Sequence, residues 1–281
     1  VRIAAIGDNV LDTYVDLGLA APGGNALNVA VFARRLGADA AYLGAIGDDT
    51  PGELIAEALR AEGVDISRLR VVSGPTAHAI VRHVGSDRFF GTGSHGVSEI
   101  SLNGGDLEFL AGFDVVHSGY AGGLESSAAV IAERSAFSYD FADIDDEAVI
   151  EAVAPNCWLA TFSATHLGDA ARRSRIEAVL DLGAKHVLIT RGDQGAVLAT
   201  QEGVVAVDAV PVQVVDTLGA GDAFIATTIV GLLNGDDPRR VLATAAASAA
   251  AVCTHYSAFG HVIELSQTSP THDGTDATTP G

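Results

Sequence analysis

Lysine is almost missing: Lys185 is the only one in 281 residues, and it sits in GAKHVLIT rather than in a glycine loop. That excludes the G-x-x-x-x-G-K-[ST] phosphate loop and the strand-borne lysine of protein kinases. If this chain handles nucleotide phosphates, it uses backbone amides, arginine or metal. Methionine is absent, and a GC-rich coding sequence accounts for both biases. Basic residues of any kind are scarce, 16 against 36 acidic, for a formal charge of −20. Nucleic acid and anionic membrane are thereby excluded as main partners, because both demand basic patches that displace counterions. A local basic pocket stays open. Two cysteines, Cys157 and Cys253, cannot build a disulfide framework. The nine histidines show neither H-E-x-x-H nor Cys/His zinc spacing, and there is no G-x-S-x-G elbow. No apolar run reaches membrane-spanning length. The opening VRIAAIGDNV lacks the basic-apolar-small layout of a signal peptide. A soluble cytoplasmic protein is the expectation.

What is present is a long, moderately apolar chain, 48% hydrophobic with positive mean hydropathy. It is long enough for one large domain. VRIAAI reads as a buried strand ended by Gly7-Asp8, and GGNALNVAVFARRLG as a helix closed at Gly37. AAYLGAIG predicts a strand. TPGELIAEALRAEGV predicts a helix with Thr50 as N-cap, Pro51 first in the helix and Glu53 as capping partner. Residues 75–91 alternate and turn at Gly85-Ser86, the pattern of a hairpin. From about residue 107 strands (DVVHSG, AFSYDF, CWLATFS, HVLITRG) alternate with helices (SSAAVIAERS, DEAVIEAVA, RSRIEAVLDLG). A second β stretch, GAVLATQEGVVAVDAVPVQVVD, leads into two helices, GAGDAFIATTIVGLLNG and DPRRVLATAAASAAAVCTHY. This rhythm predicts an α/β fold with a mostly parallel central sheet and helices on both faces. The stretch at about 75–100 is expected to form most of a small β lid over the sheet's ligand edge, with a short limb near 12–21. The polar tail 266–281 is expected to be disordered.

Four motifs carry chemistry. In DTLGAGDAF, Gly219, Ala220 and Gly221 open an apolar helix, where free amides and the helix dipole suit an anion. Asp222, in that first turn, can take a proton from an attacking hydroxyl. By itself the segment is equally a tight strand-to-helix turn. Asp8, Asn9 and Asp12 follow the first strand, where carboxylates accept sugar hydroxyls, bind metal or cap a helix. In PGGNALN, Gly23 and Gly24 allow close backbone approach, and Asn25 and Asn28 lie three apart on one helix face; N-capping by Asn25 is the plainer alternative. Thr190-Arg191-Gly192-Asp193-Gln194-Gly195 fits nucleotide contact or a hairpin turn. GTGSHG at 91–96 matches G-x-G-x-x-G literally, but no helix pattern follows, so the dinucleotide reading fails. The acids at 143–147 complement a helix start.

Together, and in order, these motifs resemble the PfkB (ribokinase-like) carbohydrate kinases over residues 1 to about 265. PGGNALNVAVFARRLG is similar to the family's sugar-contacting signature, and DTLGAGDAF to its catalytic one. The resemblance implies a ribokinase-like fold and ATP-dependent, Mg²⁺-requiring transfer to a primary hydroxyl. It implies Asp222 as base, the amides of Gly219, Ala220 and Gly221 as anion hole, and Asp8, Asp12, Gly23, Gly24, Asn25 and Asn28 around the sugar. Thr190, Gly192 and Gly195 match T-x-G-x-x-G at the nucleotide. Asp216 and Thr217 match positions that often help bind a monovalent cation such as K⁺. A homodimer through the lid is a further implication.

IGDNVLDTY, the DRFFG…GV stretch and SYDFAD are similar to the branch that phosphorylates fructosamines of the fructoselysine type at the 6-position. Fructose, ribose and nucleosides are the alternative acceptors, and a binding protein without activity is the alternative class. Two departures stand out. Ser163-Ala164-Thr165-His166 occupies the place of the family's N-x-x-E, and His95 stands where the lid's E-G-V has an acid.

Overall fold

The computed structural model describes residues 1–84 and 87–265. The predicted disordered tail and the turn at Gly85-Ser86 lie outside the described residues. In chain order the elements begin with β1 (Arg2–Ile6), β2 (Val10–Tyr14), β3 (Leu19–Gly23), α1 (Asn25–Arg35), β4 (Asp39–Leu43), β5 (Ala45–Gly47) and α2 (Thr50–Ala61). Next come β6 (Arg70–Val72), β7 (His78–Val84), β8 (Asp87–Ser94), α3 (Gly104–Leu110), β9 (Val115–Gly119), α4 (Ala128–Ala132), β10 (Ala136–Asp140) and α5 (Glu147–Val153). β11 (Leu159–Ser163), α6 (Asp169–Asp181), β12 (His186–Thr190), β13 (Ala196–Thr200), β14 (Gly203–Val207), α7 (Ala220–Leu233), α8 (Pro238–Val252) and β15 (Ile263–Glu264) complete the described chain.

The central sheet has eight strands in the order β14-β13-β12-β11-β10-β9-β1-β4. From β4 to β12 every pairing is parallel; β13 and β14 are antiparallel additions. Short apolar strands such as RIAAI and VVHSG suit this arrangement, since both faces are covered. Two apolar layers flank the sheet. One joins α1, α2, α7 and α8 through residues such as Leu27, Ile55, Phe224 and Leu242. The other joins α3 to α6 through Leu110, Ile131, Ile150 and Val179. Helix α7 is apolar all round because it is buried, and its Thr227 and Thr228 hydroxyls donate to the Ala223 and Phe224 carbonyls. Strand order reverses between β1 and β9, the switch point at which open α/β sheets receive ligands.

A second sheet of five strands, β15-β3-β2-β7-β8, stands beyond that edge. It draws on residues 10–14, 19–23, 78–84 and 87–94, and on the unforeseen β15, which pairs with β3 through Ile263 and Glu264. Tyr14, Ala21 and Val81 form its own small apolar cluster, with Leu218 packed against it.

Local expectations shifted in four places. Helix α2 is capped by Asp49, not Thr50: its carboxylate accepts from Gly52 N and also takes the Thr76 amide, so it ties the helix to a distant loop. Helix α1 begins at Asn25 with Gly24 as N-cap, so Asn25 does not cap it. Helix α4 is short because residues 125–127 form a separate 3₁₀ turn. Residues 208–215 carry no strand although valines alternate there. Pro211 lacks an N–H, β14 is already the sheet's edge, and Val210, Val212, Val214 and Val215 are exposed. The acids at 143–147 behave as expected, with Asp146 capping α5 through Ala148 N. The GTGSHG segment lies on β8 and the turn after it, with no helix at its end.

Candidate active site

Asp8 follows β1, and its carboxylate reaches the start of α1. Its oxygens accept from Asn25 N at 2.7 Å and Ala26 N at 3.1 Å, filling two of the helix's open amides. Burial pushes the Asp8 carboxyl above the usual carboxylate range, and these amides pull the other way. The Gly23–Gly24 pair is demanded by the same close approach. A Cβ on Gly24 would stand 2.8 Å from Asn9 Cα on a backbone with φ of 114°, and one on Gly23 would meet Asp12 Oδ2 at 2.3 Å.

Asn25 and Asn28 share the cavity-facing side of α1, and both point at Asp222 from α7. Asn25 Nδ2 donates to Asp222 Oδ1 at 2.8 Å and to Asp140 Oδ2 at 2.9 Å; Asn28 Nδ2 donates to Asp222 Oδ2 at 2.7 Å. Asp222 occupies the third position of α7, one turn from Gly219, whose left-handed conformation (φ 80°) ends the preceding loop. Ala220 N donates to Thr217 O at 3.3 Å, whereas the space beside Gly221 is open. Asp140, at the end of β10, is pushed up to about 7, first by burial and then by the nearby Asp222 charge.

A cavity of about 560 Å³ gathers these groups. Its lining includes Asp8, Asn25, Asn28 and Asp222 from the central sheet's edge and helices, with Asp12, His78, Ser94 and His95 from the second sheet side. None of the described lining residues is lysine or arginine. Two buried acceptors, Asn9 Oδ1 and Asn28 Oδ1, have no hydrogen-bond partner. Thus Asp8, Asp12, Gly24, Asn25, Asn28 and Asp222 come together at one cavity, with Gly23 packed directly behind Asp12.

The other named residues lie elsewhere. Thr190, Gly192 and Gly195 belong to the turn between β12 and β13, where Thr190 pairs with Ala196; none of them lines the cavity. Asp216 is buried and well supplied with donors. It accepts the Tyr14 hydroxyl at 2.6 Å and Ser257 N at 3.2 Å on Oδ2, and Leu218 N at 3.1 Å on Oδ1. In the Ser163–His166 stretch, His166 Nε2 lies 3.4 Å from Asp145. Among the described residues no three His, Cys, Asp or Glu side chains gather into a metal cage.

Asp140 and His117 also reach the site through Asn25, and neither belongs to one of the four motifs. Asp140 had a usable signal, an acid at the C-terminal end of a parallel strand. His117, in the apolar run VVHSG, had none.

The sequence model of the pfkB family carbohydrate kinases matches residues 18–262. The chain belongs to this family. It is 33% identical over 265 residues to the fructosamine kinase FrlD of Bacillus subtilis (strain 168), covering 92% of this chain and 93% of that relative. It is 32% identical to the fructoselysine 6-kinase of Escherichia coli (strain K12), covering 92% and 99%. The fold of Arabidopsis thaliana ribokinase, solved with ribose and ATP, superposes with a TM-score of 0.78 at 21% identity, over 92% of this chain and 94% of that one. This pfkB-family chain is a sugar kinase, a phosphotransferase with an alcohol acceptor, and its fold is ribokinase-like. No helix among its described residues is long and apolar enough to cross a membrane.

Proposed function

We propose that this kinase transfers the γ-phosphoryl group of ATP to the primary 6-hydroxyl of a fructosamine of the fructoselysine type. The observation that carries this reading is the cavity's chemistry. Carboxylates from Asp8, Asp12 and Asp222 line it, the unpartnered acceptors Asn9 Oδ1 and Asn28 Oδ1 are buried beside them, and no lysine or arginine stands among the described lining residues. A ligand that satisfies such a site is rich in donors and positively charged, as a polyol with a protonated amine is. At about 560 Å³ the cavity also has room beyond a hexose. The identity to fructosamine and fructoselysine kinases points the same way.

In this reading Asp222 is the general base. Its two oxygens are held by Asn25 and Asn28, so it is oriented before the sugar arrives. As the hydroxyl oxygen bonds to the γ-phosphorus, its proton passes to Asp222, the bond to the β,γ-bridging oxygen breaks, and ADP leaves. The Gly221 end of the turn into α7, beside open space, is assigned to the transferred group. Gly219 and Ala220 shape that turn, and Thr190, Gly192 and Gly195 are assigned to the nucleotide. The second sheet is assigned as a lid that excludes water.

The side chains do not form a protein-built magnesium site, since among the described residues no three His, Cys, Asp or Glu side chains are placed to hold a metal together, and His166 faces Asp145. Magnesium is accordingly assigned to the MgATP substrate, where phosphates and water supply most of its ligands. Three donors converge on the Asp216 carboxylate, and K⁺ is not assigned a place there.

The test is ADP release from MgATP with fructoselysine, other fructosamines, fructose, ribose and nucleosides. The highest kcat/KM is expected with a fructosamine. A higher value with a neutral sugar would overturn the assignment.

A further inference from the structure

His117 is completely buried on β9, yet it is wired to the site. Its Nδ1 lies 3.0 Å from Ser138 Oγ on β10, and its Nε2 lies 3.1 Å from Asn25 Oδ1. Burial pushes its pKa down to about 3, so the ring is neutral at working pH. A neutral imidazole has one N–H and one lone pair in the ring plane. The atom of Asn25 that faces the Asp222 and Asp140 carboxyls is its amide nitrogen, which puts the carbonyl oxygen toward His117. An oxygen there accepts only, so Nε2 carries the hydrogen and Nδ1 accepts from the Ser138 hydroxyl. The contacts are mutually consistent: the Ser138 hydroxyl donates to Nδ1, the Nε2 hydrogen meets the Asn25 oxygen, and the two Asn25 amide hydrogens go one to Asp140 and one to Asp222.

We propose that His117 is a positioning residue for phosphoryl transfer, holding the Asn25 amide in the one orientation that lets its nitrogen bridge Asp140 and Asp222. The alternative orientation would set the Asn25 oxygen against two acidic groups and leave Asp222 Oδ1 without that donor. Gly119, beside the wire, supports this arrangement: a Cβ there would lie 2.4 Å from Asn25 Oδ1. The proposal rests on Asp222 being the base.

A double-mutant cycle with steady-state kinetics tests it. His117→Leu, which removes the donor, should lower kcat about 10- to 100-fold, the scale of a misplaced catalytic group, with KM for ATP unchanged. His117→Gln, whose terminal N–H can replace Nε2–H, should stay within about 3-fold of the parent in kcat, as a restored hydrogen bond implies. In an Asn25→Ala background, His117→Leu should change kcat by less than about 2-fold, because residues acting through one another are not additive. Full kcat in His117→Leu, or the same loss with and without Asn25, would overturn the proposal. If His117→Leu does not fold, a large kcat loss in folded His117→Gln, or a lack of coupling between His117→Gln and Asn25→Ala, overturns it instead. Asp222→Asn is assayed alongside. An active Asp222→Asn enzyme rejects the base assignment itself, whereas an inactive one combined with additive His117 effects rejects only the role of His117.

Discussion

The Tyr14 hydroxyl donates a 2.6 Å hydrogen bond to the Asp216 carboxylate, joining the second sheet to the loop that leads into α7. Both residues are buried, and Ser257 N contacts the same pair, at 3.1 Å from the tyrosine oxygen and 3.2 Å from the carboxylate. Burial and the neighbouring carboxylate raise the Tyr14 pKa, so the hydroxyl keeps its proton. Tyr14→Phe should therefore cost about 1–3 kcal/mol, the range for a buried carboxylate that loses a donor. Thermal unfolding measures this, and an unchanged midpoint would show that the contact adds nothing to stability.

Gly219 is held at φ 80°, and a Cβ there would lie 2.3 Å from Ala258 Cβ. Gly219→Ala should strain the turn by about 1–3 kcal/mol and shift the start of α7, lowering kcat by about 10- to 100-fold. Adding Ala258→Gly removes the 2.3 Å contact but neither the 2.7 Å approach to the Ala258 Cα nor the unfavourable φ, so the double variant should recover part of the activity. Equal activity in the single and double variants would place the defect elsewhere.

Asp140 gives stability a pH dependence of known sign. In the folded state its carboxyl titrates at about 7, against an ordinary 3.8. Between those values the folded protein holds a proton that the unfolded chain has released. The Asp140 contribution to stability is therefore greatest below pH 4, falls as pH rises to 7, and is flat above. Asp140→Asn removes this slope. Its unfolding midpoint should gain on the parent by a few degrees between pH 5 and pH 8, and a constant difference would contradict the assignment.

Asp12 lines the cavity and is almost fully buried. Asp12→Asn should raise KM for a fructosamine about 10- to 100-fold, the worth of a charge-assisted hydrogen bond, while KM for ATP stays constant. Parallel changes in both constants would mean that the substitution disturbs the whole site.

The fold was legible because its strands are short apolar runs separated by helices of clear period, and because glycines mark the turns. The acids and amides of the site were legible as positions: Asp8, Asn25, Asn28 and Asp222 occur where strands end or helices begin. Their bonding was not. That Asp8 would cap α1 depends on the approach of β1 to a helix 17 residues on. That Asp216 would meet Tyr14 depends on a contact across 202 residues. His117 was invisible because a histidine inside an apolar strand has the same local pattern whether it is inert filling or a link to the site. The valines at 210–215 misled because alternation records β tendency, whereas a strand also needs a neighbour to pair with.

The proposed reaction depends on Asp222 receiving the acceptor's proton. The most direct measurement is single-turnover phosphoryl transfer from MgATP to fructoselysine by Asp222→Asn, with ATP affinity measured in parallel. A loss of at least about 100-fold in the transfer rate is expected, the scale of a general base, with ATP binding retained. Transfer at the parent rate by Asp222→Asn would contradict it.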